Sequence, residues 1–202
     1  MFRDRTDAGR QLAQALNRYR GANPLVLGLP RGGVVVGAEV ARALSGDLDV
    51  LLVKKLRAPG NPELALGAVS EDGQVYVNTD LIEADNPYLD REIEERRVEM
   101  SSQQKRYRSV KSRVTPTGRT AILVDDGLAT GATMQAAVQA TTLAKPAQLI
   151  VAVPVSPPET ARKFSGLVCL HTPWEFQGVG QFYDDFTQVD DETVIAILKE
   201  FA

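Results

Sequence analysis

The chain has 202 residues, of which 44% are apolar and 24% charged, and its formal net charge is -3. That is one good-sized domain with material for an ordinary core, and the weak negative balance argues against a dedicated nucleic-acid or membrane-surface protein. A single cysteine, Cys169, and a single histidine, His171, exclude a disulfide framework within the chain and a His/Cys metal cluster.

The opening MFRDRTDAGRQLAQAL is charged and lacks an apolar signal core. No run approaches the ~20 apolar residues of a spanning helix. The expectation is a cytoplasmic protein without membrane contact. From Arg5 to Tyr19, the spacing of Ala8, Leu12, Ala15, Leu16 and Tyr19 predicts an amphipathic helix. Leu25 to Leu29 is a short apolar strand. Pro30-Arg31-Gly32-Gly33 makes a turn, Val34 to Leu44 reads as a helix, and Asp49 to Val53 as a second buried strand. This is a β-α-β unit, which implies parallel strands.

Residues 54–119 break that rhythm. Leu64 to Val69 and Gln74 to Val77 flank Glu71-Asp72-Gly73, a hairpin signal. Tyr88 to Tyr107 is densely charged and predicts an exposed helix. The rhythm then resumes, with strands at 120–124, 149–155 and 167–170 and helices at 134–143 and 157–164. Strands alternating with helices predict an α/β fold, an open and mainly parallel sheet with flanking helices. The chain reads as a single domain over 1–202, with a hairpin-plus-helix insertion at about 55–119 and a small C-terminal hood at about 171–187.

The stretch ILVDDGLATGATM (122–134) ends a buried strand on Asp125 and Asp126 and then offers a small-residue turn. Ligands of parallel sheets bind beyond the carboxyl ends of the strands. Unpaired backbone N–H groups at the start of a helix, with its dipole, suit a phosphate. Thr130 and Thr133 add hydroxyl donors, and Ala129, Gly131 and Ala132 leave the approach open. The two acids would repel a phosphate; they suit hydroxyl donors or a hard cation. A ligand with a phosphate at one end and a diol nearby fits both halves, and a ribose 5-phosphate has that shape. A P-loop is excluded, because Ala132 stands where its lysine would be. Gly178-Val179-Gly180 lacks the third glycine of a dinucleotide loop. The phospho-acceptor receiver fold also fails: its third Asp and its lysine have no match at strand ends that carry Pro154 and His171.

VDDGLATGAT resembles the signature of the type I phosphoribosyltransferases, and other segments from about Leu25 to Leu170 fall in the family's order. The resemblance implies transfer of ribose 5-phosphate from phosphoribosyl pyrophosphate (PRPP) to a nitrogen of a nucleobase or similar small-molecule acceptor. On that reading Asp125 and Asp126 hold the ribose hydroxyls and take part in Mg²⁺ binding, mostly through PRPP and water. Ala129, Thr130, Gly131, Ala132 and Thr133 form the 5-phosphate loop. Pro30, Arg31, Gly32 and Gly33 form the pyrophosphate loop, with a cis peptide at Pro30–Arg31. Arg31, Lys54 and Arg57 are the catalytic cations, and the insertion is the mobile loop that closes over the site. Relatives usually pair as homodimers.

Departures bear on the acceptor. Ala129 replaces the acid of 6-oxopurine relatives, and no Lys or Arg lies between Lys163 and Lys199, which disfavours hypoxanthine and guanine. In the hood, Trp174, Phe176, Tyr183 and Phe186 offer stacking faces, and Asp184 or Asp185 an acceptor; lid packing is the plain alternative. His171 reads as structural and Cys169 as a small buried apolar residue. Lys105, Arg106, Arg108, Lys111, Arg113 and Arg119 form either a solvated helix face balanced by Glu92, Glu94, Glu95 and Glu99, or a contact for RNA or pyrophosphate. No DNA partner is expected. A PRPP sensor that signals to RNA or a protein partner is the alternative to the enzyme.

Overall fold

Five parallel strands, in the spatial order β2 (Asp47–Val50), β1 (Leu25–Gly28), β6 (Thr120–Val124), β7 (Gln148–Val155) and β8 (Val168–His171), form the main sheet of the computed structural model. The structure describes all 202 residues except the side chains at 62 and 63. Helix α1 (Arg5–Ala15) opens the chain, capped by the Asp4 carboxylate, which accepts from the Asp7 amide. Strand β1 (Leu25–Gly28) is buried throughout, as a central parallel strand covered on both faces must be. Helix α2 (Gly32–Leu44) carries the chain to β2 (Asp47–Val50). Strand β6 (Thr120–Val124) pairs with the other edge of β1. Helix α4 (Ala132–Leu143), strand β7 (Gln148–Val155), the single turn α5 (Pro158–Ala161), strand β8 (Val168–His171) and helix α6 (Asp191–Glu200) complete the order.

Two cores flank the sheet. One joins α1, α2, α6 and the sheet through Leu12, Leu16, Val36, Leu44, Leu48, Ile122 and Val194. The other lies under α4 and holds Leu25, Leu123, Met134, Val153 and Phe164. A buried side chain of this size contributes roughly 1.5–3 kcal/mol. The chain leaves β1 toward β2 on one side and enters β6 on the other. The carboxyl ends of β1 and β6 therefore border the crevice where open parallel sheets bind ligands.

Several expected boundaries move. The second strand ends at Val50, not Val53, because the apolar run DVLLV turns a corner at Leu51 and Leu52. Val53 instead starts β3 (Val53–Ala58), which pairs antiparallel with β4 (Asn61–Ser70). Strand β5 (Val75–Val77) completes a three-stranded sheet where a hairpin was expected. Helix α3 (Pro87–Arg108) is not simply exposed: Leu89, Glu92, Arg96, Met100 and Tyr107 form a buried stripe. That stripe escapes a hydropathy reading because two of its members are charged and paired to each other. Leu56, Leu66, Val69 and Leu89 give the insertion its own core. The helix expected over 157–164 is only Pro158–Ala161, and α6 was not anticipated.

Candidate active site

Two turns meet at the crevice. After β6 comes the acid pair, followed by a loop whose carbonyls are taken from below. Thr160 Oγ1 donates to the Ala129 carbonyl at 2.7 Å and Lys163 Nζ to the Thr130 carbonyl at 3.1 Å. The Leu128 amide donates to Val155 O at 2.9 Å. With its carbonyls turned inward, the loop presents amides outward. Among the described residues no acceptor faces the N–H groups of Ala129, Thr130, Gly131 or Thr133. Gly131 has φ 78 and caps α4 without a side-chain bond. A β-carbon there would meet Thr160 Cγ2 at 2.9 Å, so glycine is required by both angle and space.

The turn after β1 packs on the acids. The Pro30–Arg31 peptide is cis. A β-carbon on Gly33 would lie 2.6 Å from Val124 O and 2.8 Å from Asp125 Cα, so the two turns touch through bare backbone. Asp125 Oδ1 accepts the Asp126 amide at 2.8 Å. Burial, and then the Asp126 charge beside it, push the Asp125 carboxyl above the usual carboxylate range.

Asp126 has a partner that the sequence did not suggest. Arg5 Nε donates to Asp126 Oδ2 at 2.7 Å, with side-chain exposures of 11% and 16%. Nothing marks Arg5 among the three arginines of the first ten residues; only the fold brings it across. Tyr183 Oη donates to the Asp126 carbonyl at 2.6 Å. Its ring packs on Phe2 and Phe186, and burial raises its hydroxyl pKa, with Asp126 adding to the shift.

On the far side of the turn, Pro30, Lys54, Arg57 and Thr133 line one cavity of about 220 Å³, together with Lys55, Met100 and Gln103. This is smaller than the ~300–1,000 Å³ of typical small-molecule pockets, so it takes a part of a ligand. Lys54 and Arg57 stand on β3, in the insertion's own sheet. Arg57 sits at a register shift of that strand. Its amide donates to Glu92 Oε1 at 3.0 Å and its carbonyl accepts from Tyr88 Oη at 2.8 Å. Helix α3 therefore holds the Arg57 backbone and supplies one wall of the cavity. Arg31 does not line it: its guanidinium lies 3.8 Å from Asp191 on α6.

The hood is divided. Tyr183 is 6% exposed and committed to packing, whereas Trp174 is 80% exposed with Arg162 6.0 Å away. Phe176 stacks on Phe182 at 5.6 Å, and Phe186 lies under the Arg5 guanidinium at 3.9 Å. His171 ends β8 with its ring 5.2 Å from Phe2. Cys169 is half-buried against the second core, and burial pushes its thiol up to about 11. The basic run is largely engaged. Arg106 meets Asp191 and Glu192, Arg108 meets Asp49 and Glu71, Arg113 meets Asp72 and Arg119 meets Asp47. Lys111 donates to the Phe201 carbonyl. These partners are not the four glutamates that the charge pattern suggested.

Residues 3–181 match the family model described as the phosphoribosyl transferase domain. Two curated proteins of Mycobacterium tuberculosis, strains CDC 1551 / Oshkosh and ATCC 25618 / H37Rv, each named provisionally as a phosphoribosyl transferase, are 44% identical over 205 residues. Those matches cover 98% of this chain and 46% of each relative, so the chain spans about half the length of the curated relatives it matches. The crystal structure of TT1426 from Thermus thermophilus superposes with a TM-score of 0.95 and 48% identity, covering 100% of this chain and 99% of that one. A hypoxanthine-guanine phosphoribosyltransferase from Bacillus anthracis gives a TM-score of 0.50 at 18% identity, over 85% of this chain and 81% of that one. This last likeness is one of fold alone.

Proposed function

The chain belongs to the phosphoribosyl transferase family, and we propose that it transfers ribose 5-phosphate from PRPP to a nitrogen of a nucleobase or similar acceptor, releasing pyrophosphate. The observation that carries the proposal is the 127–133 loop, whose inward carbonyls turn its amides outward beside two carboxylates. The amides bind the 5-phosphate, with the α4 dipole behind them. The carboxylates accept from the ribose diol. The cavity of Lys54 and Arg57 adjoins this loop through Thr133 and takes the pyrophosphate.

The chemistry follows from that layout. Breaking the anomeric C–O bond develops cationic character on the ribose and negative charge on the leaving pyrophosphate. Lys54 and Arg57, with Arg31 at the neighbouring turn, stabilise that negative charge where it grows. The walls supplied by α3 and the hood exclude water, which competes with the acceptor as nucleophile.

A Mg²⁺ fits only as an ion shared with the ligand. Among the described residues no three His, Cys, Asp or Glu side chains converge, and Asp126 commits one oxygen to Arg5. Asp125, with oxygens of PRPP and water, would hold it, and when bound it supplies further positive charge to the leaving group. The missing acid at Ala129 supports an acceptor other than hypoxanthine or guanine. We extend the proposal, on the sequence grounds given, to a cytoplasmic homodimer in nucleotide metabolism.

The test is pyrophosphate release from PRPP and Mg²⁺ across a panel of bases. Release with at least one acceptor is expected. PRPP binding without release for any acceptor would make the protein a sensor, and no PRPP binding at all would overturn the site. Replacing Asp125→Asn and Asp126→Asn together is expected to weaken PRPP binding about tenfold or more; because Arg5 then loses its carboxylate partner, the melting temperature falls as well, and binding is compared at a temperature where both proteins are folded.

A further inference from the structure

Arg5 has no place in the proposed reaction, yet it touches three parts of the site. Its Nε bonds Asp126 Oδ2 at 2.7 Å. Its Nη1 donates to the Thr187 carbonyl at 2.8 Å, at the end of the hood. Its guanidinium lies on the Phe186 ring at 3.9 Å. The pyrophosphate turn seals the contact: a β-carbon on Gly32 would meet Asp126 Oδ2 at 1.9 Å and Arg5 Nε at 2.8 Å. Only a glycine lets that turn close over this ion pair.

The side chain of Arg5 is 11% exposed, too covered to reach a ligand itself. What it controls is the Asp126 carboxylate. Two adjacent carboxylates at the end of a buried strand repel each other, and an unpaired one would turn toward water. Arg5 fixes Oδ2 and leaves Oδ1, to which no N–H of the described residues donates. Tyr183 fixes the same residue through its backbone carbonyl. Asp126 is therefore held at both ends, by Arg5 from α1 and by Tyr183 from the hood.

We propose that Arg5 is a positioning residue for PRPP, holding the Asp126 carboxylate in the orientation that accepts from the ribose diol. The inference rests on the assignment of 125–133 to ribose 5-phosphate.

The experiment measures binding of three probes by calorimetry: PRPP, ribose 5-phosphate, and pyrophosphate with Mg²⁺. Arg5→Gln is expected to weaken PRPP and ribose 5-phosphate about tenfold and to leave pyrophosphate unchanged. Arg5→Lys retains a cation beside Asp126 and is expected to recover most of that loss, although it gives up the planar fork. Unchanged affinity in Arg5→Gln overturns the proposal. So does an equal loss of ribose 5-phosphate and pyrophosphate, or a lysine variant as weak as the glutamine one. If Arg5→Gln does not fold, Arg5→Lys decides alone: a partial loss of ribose 5-phosphate affinity with pyrophosphate affinity unchanged supports positioning, and both affinities unchanged, or both weakened alike, overturns it. A wild-type protein that binds none of the probes refutes the proposed function, whereas wild-type binding with an indifferent Arg5 refutes only this inference.

Discussion

The phosphate loop at 127–133 and the cation wall at 53–57 border one cleft, yet they are built in opposite ways. The loop is a continuous piece of chain between a strand and a helix, and its shape follows from its own glycines and alanines with two carbonyls held by Thr160 and Lys163. The wall is a strand of a separate small sheet, pinned by a helix some thirty residues further on. A loop of the first kind announces itself in sequence. A wall of the second kind exists only once the insertion has folded and docked. The two should therefore fail differently when broken.

The largest effect is expected where the insertion joins the main sheet. Arg108 donates from Nε to Glu71 Oε2 and from Nη1 to Asp49 Oδ1, both at 2.7 Å, and from Nη2 to the Val50 carbonyl at 3.0 Å. Asp49 is 0% exposed. Arg108→Gln leaves two buried carboxylates without their cation, which costs about 3–5 kcal/mol. At 2–4 °C per kcal/mol for a chain of this size, that lowers the melting temperature by roughly 10 °C. Pyrophosphate affinity should fall with it, since the wall loses its mooring, while ribose 5-phosphate still binds at temperatures where the protein is folded. Equal loss of both ligands would show that the wall and the loop are one unit, not two.

The same contrast explains what could be read in advance. The β-α-β rhythm, the acid pair and the small-residue turn are local patterns, and the sheet and the loop 125–133 stand where those patterns put them. The cis peptide at Pro30–Arg31 also stands where the resemblance implied. Strand β3 was hidden because Lys54, Lys55 and Arg57 interrupt its alternation. The buried stripe of α3 was hidden because two of its members, Glu92 and Arg96, are charged and pair with each other inside it. Tyr183 looked like a stacking ring; Phe186 beside it is close in sequence, but Phe2, which closes the packing, is far away in the chain and no local signal pairs the two. Arg5 was invisible for the same reason: 121 residues separate it from Asp126.

A smaller effect is expected beneath the loop. Thr160 is 2% exposed and its hydroxyl donates to the Ala129 carbonyl. Thr160→Val keeps the shape and removes the donor, leaving that carbonyl unsatisfied at a cost of about 1–3 kcal/mol. The carbonyl then competes with the neighbouring amides for orientation, and affinity for ribose 5-phosphate should drop roughly tenfold. Calorimetry with pyrophosphate and Mg²⁺ should show no change. A variant that loses both would mean the loop also shapes the cation wall, through Thr133.

The smallest effect separates the two bonds that hold Arg57. Its amide goes to a buried carboxylate and its carbonyl to an accessible phenol. A bond to a charged acceptor inside the protein is stronger than one at the surface, so Glu92 is the main restraint and Tyr88 the lesser. Tyr88→Phe removes only the phenol bond, worth about 0.5–1.5 kcal/mol. Pyrophosphate affinity should weaken about two- to fivefold, with ribose 5-phosphate affinity untouched. That asymmetry would place Arg57 on the leaving-group side of the cleft and nowhere else. A loss in ribose 5-phosphate instead would move Arg57 across the cleft and dissolve the division between cradle and wall.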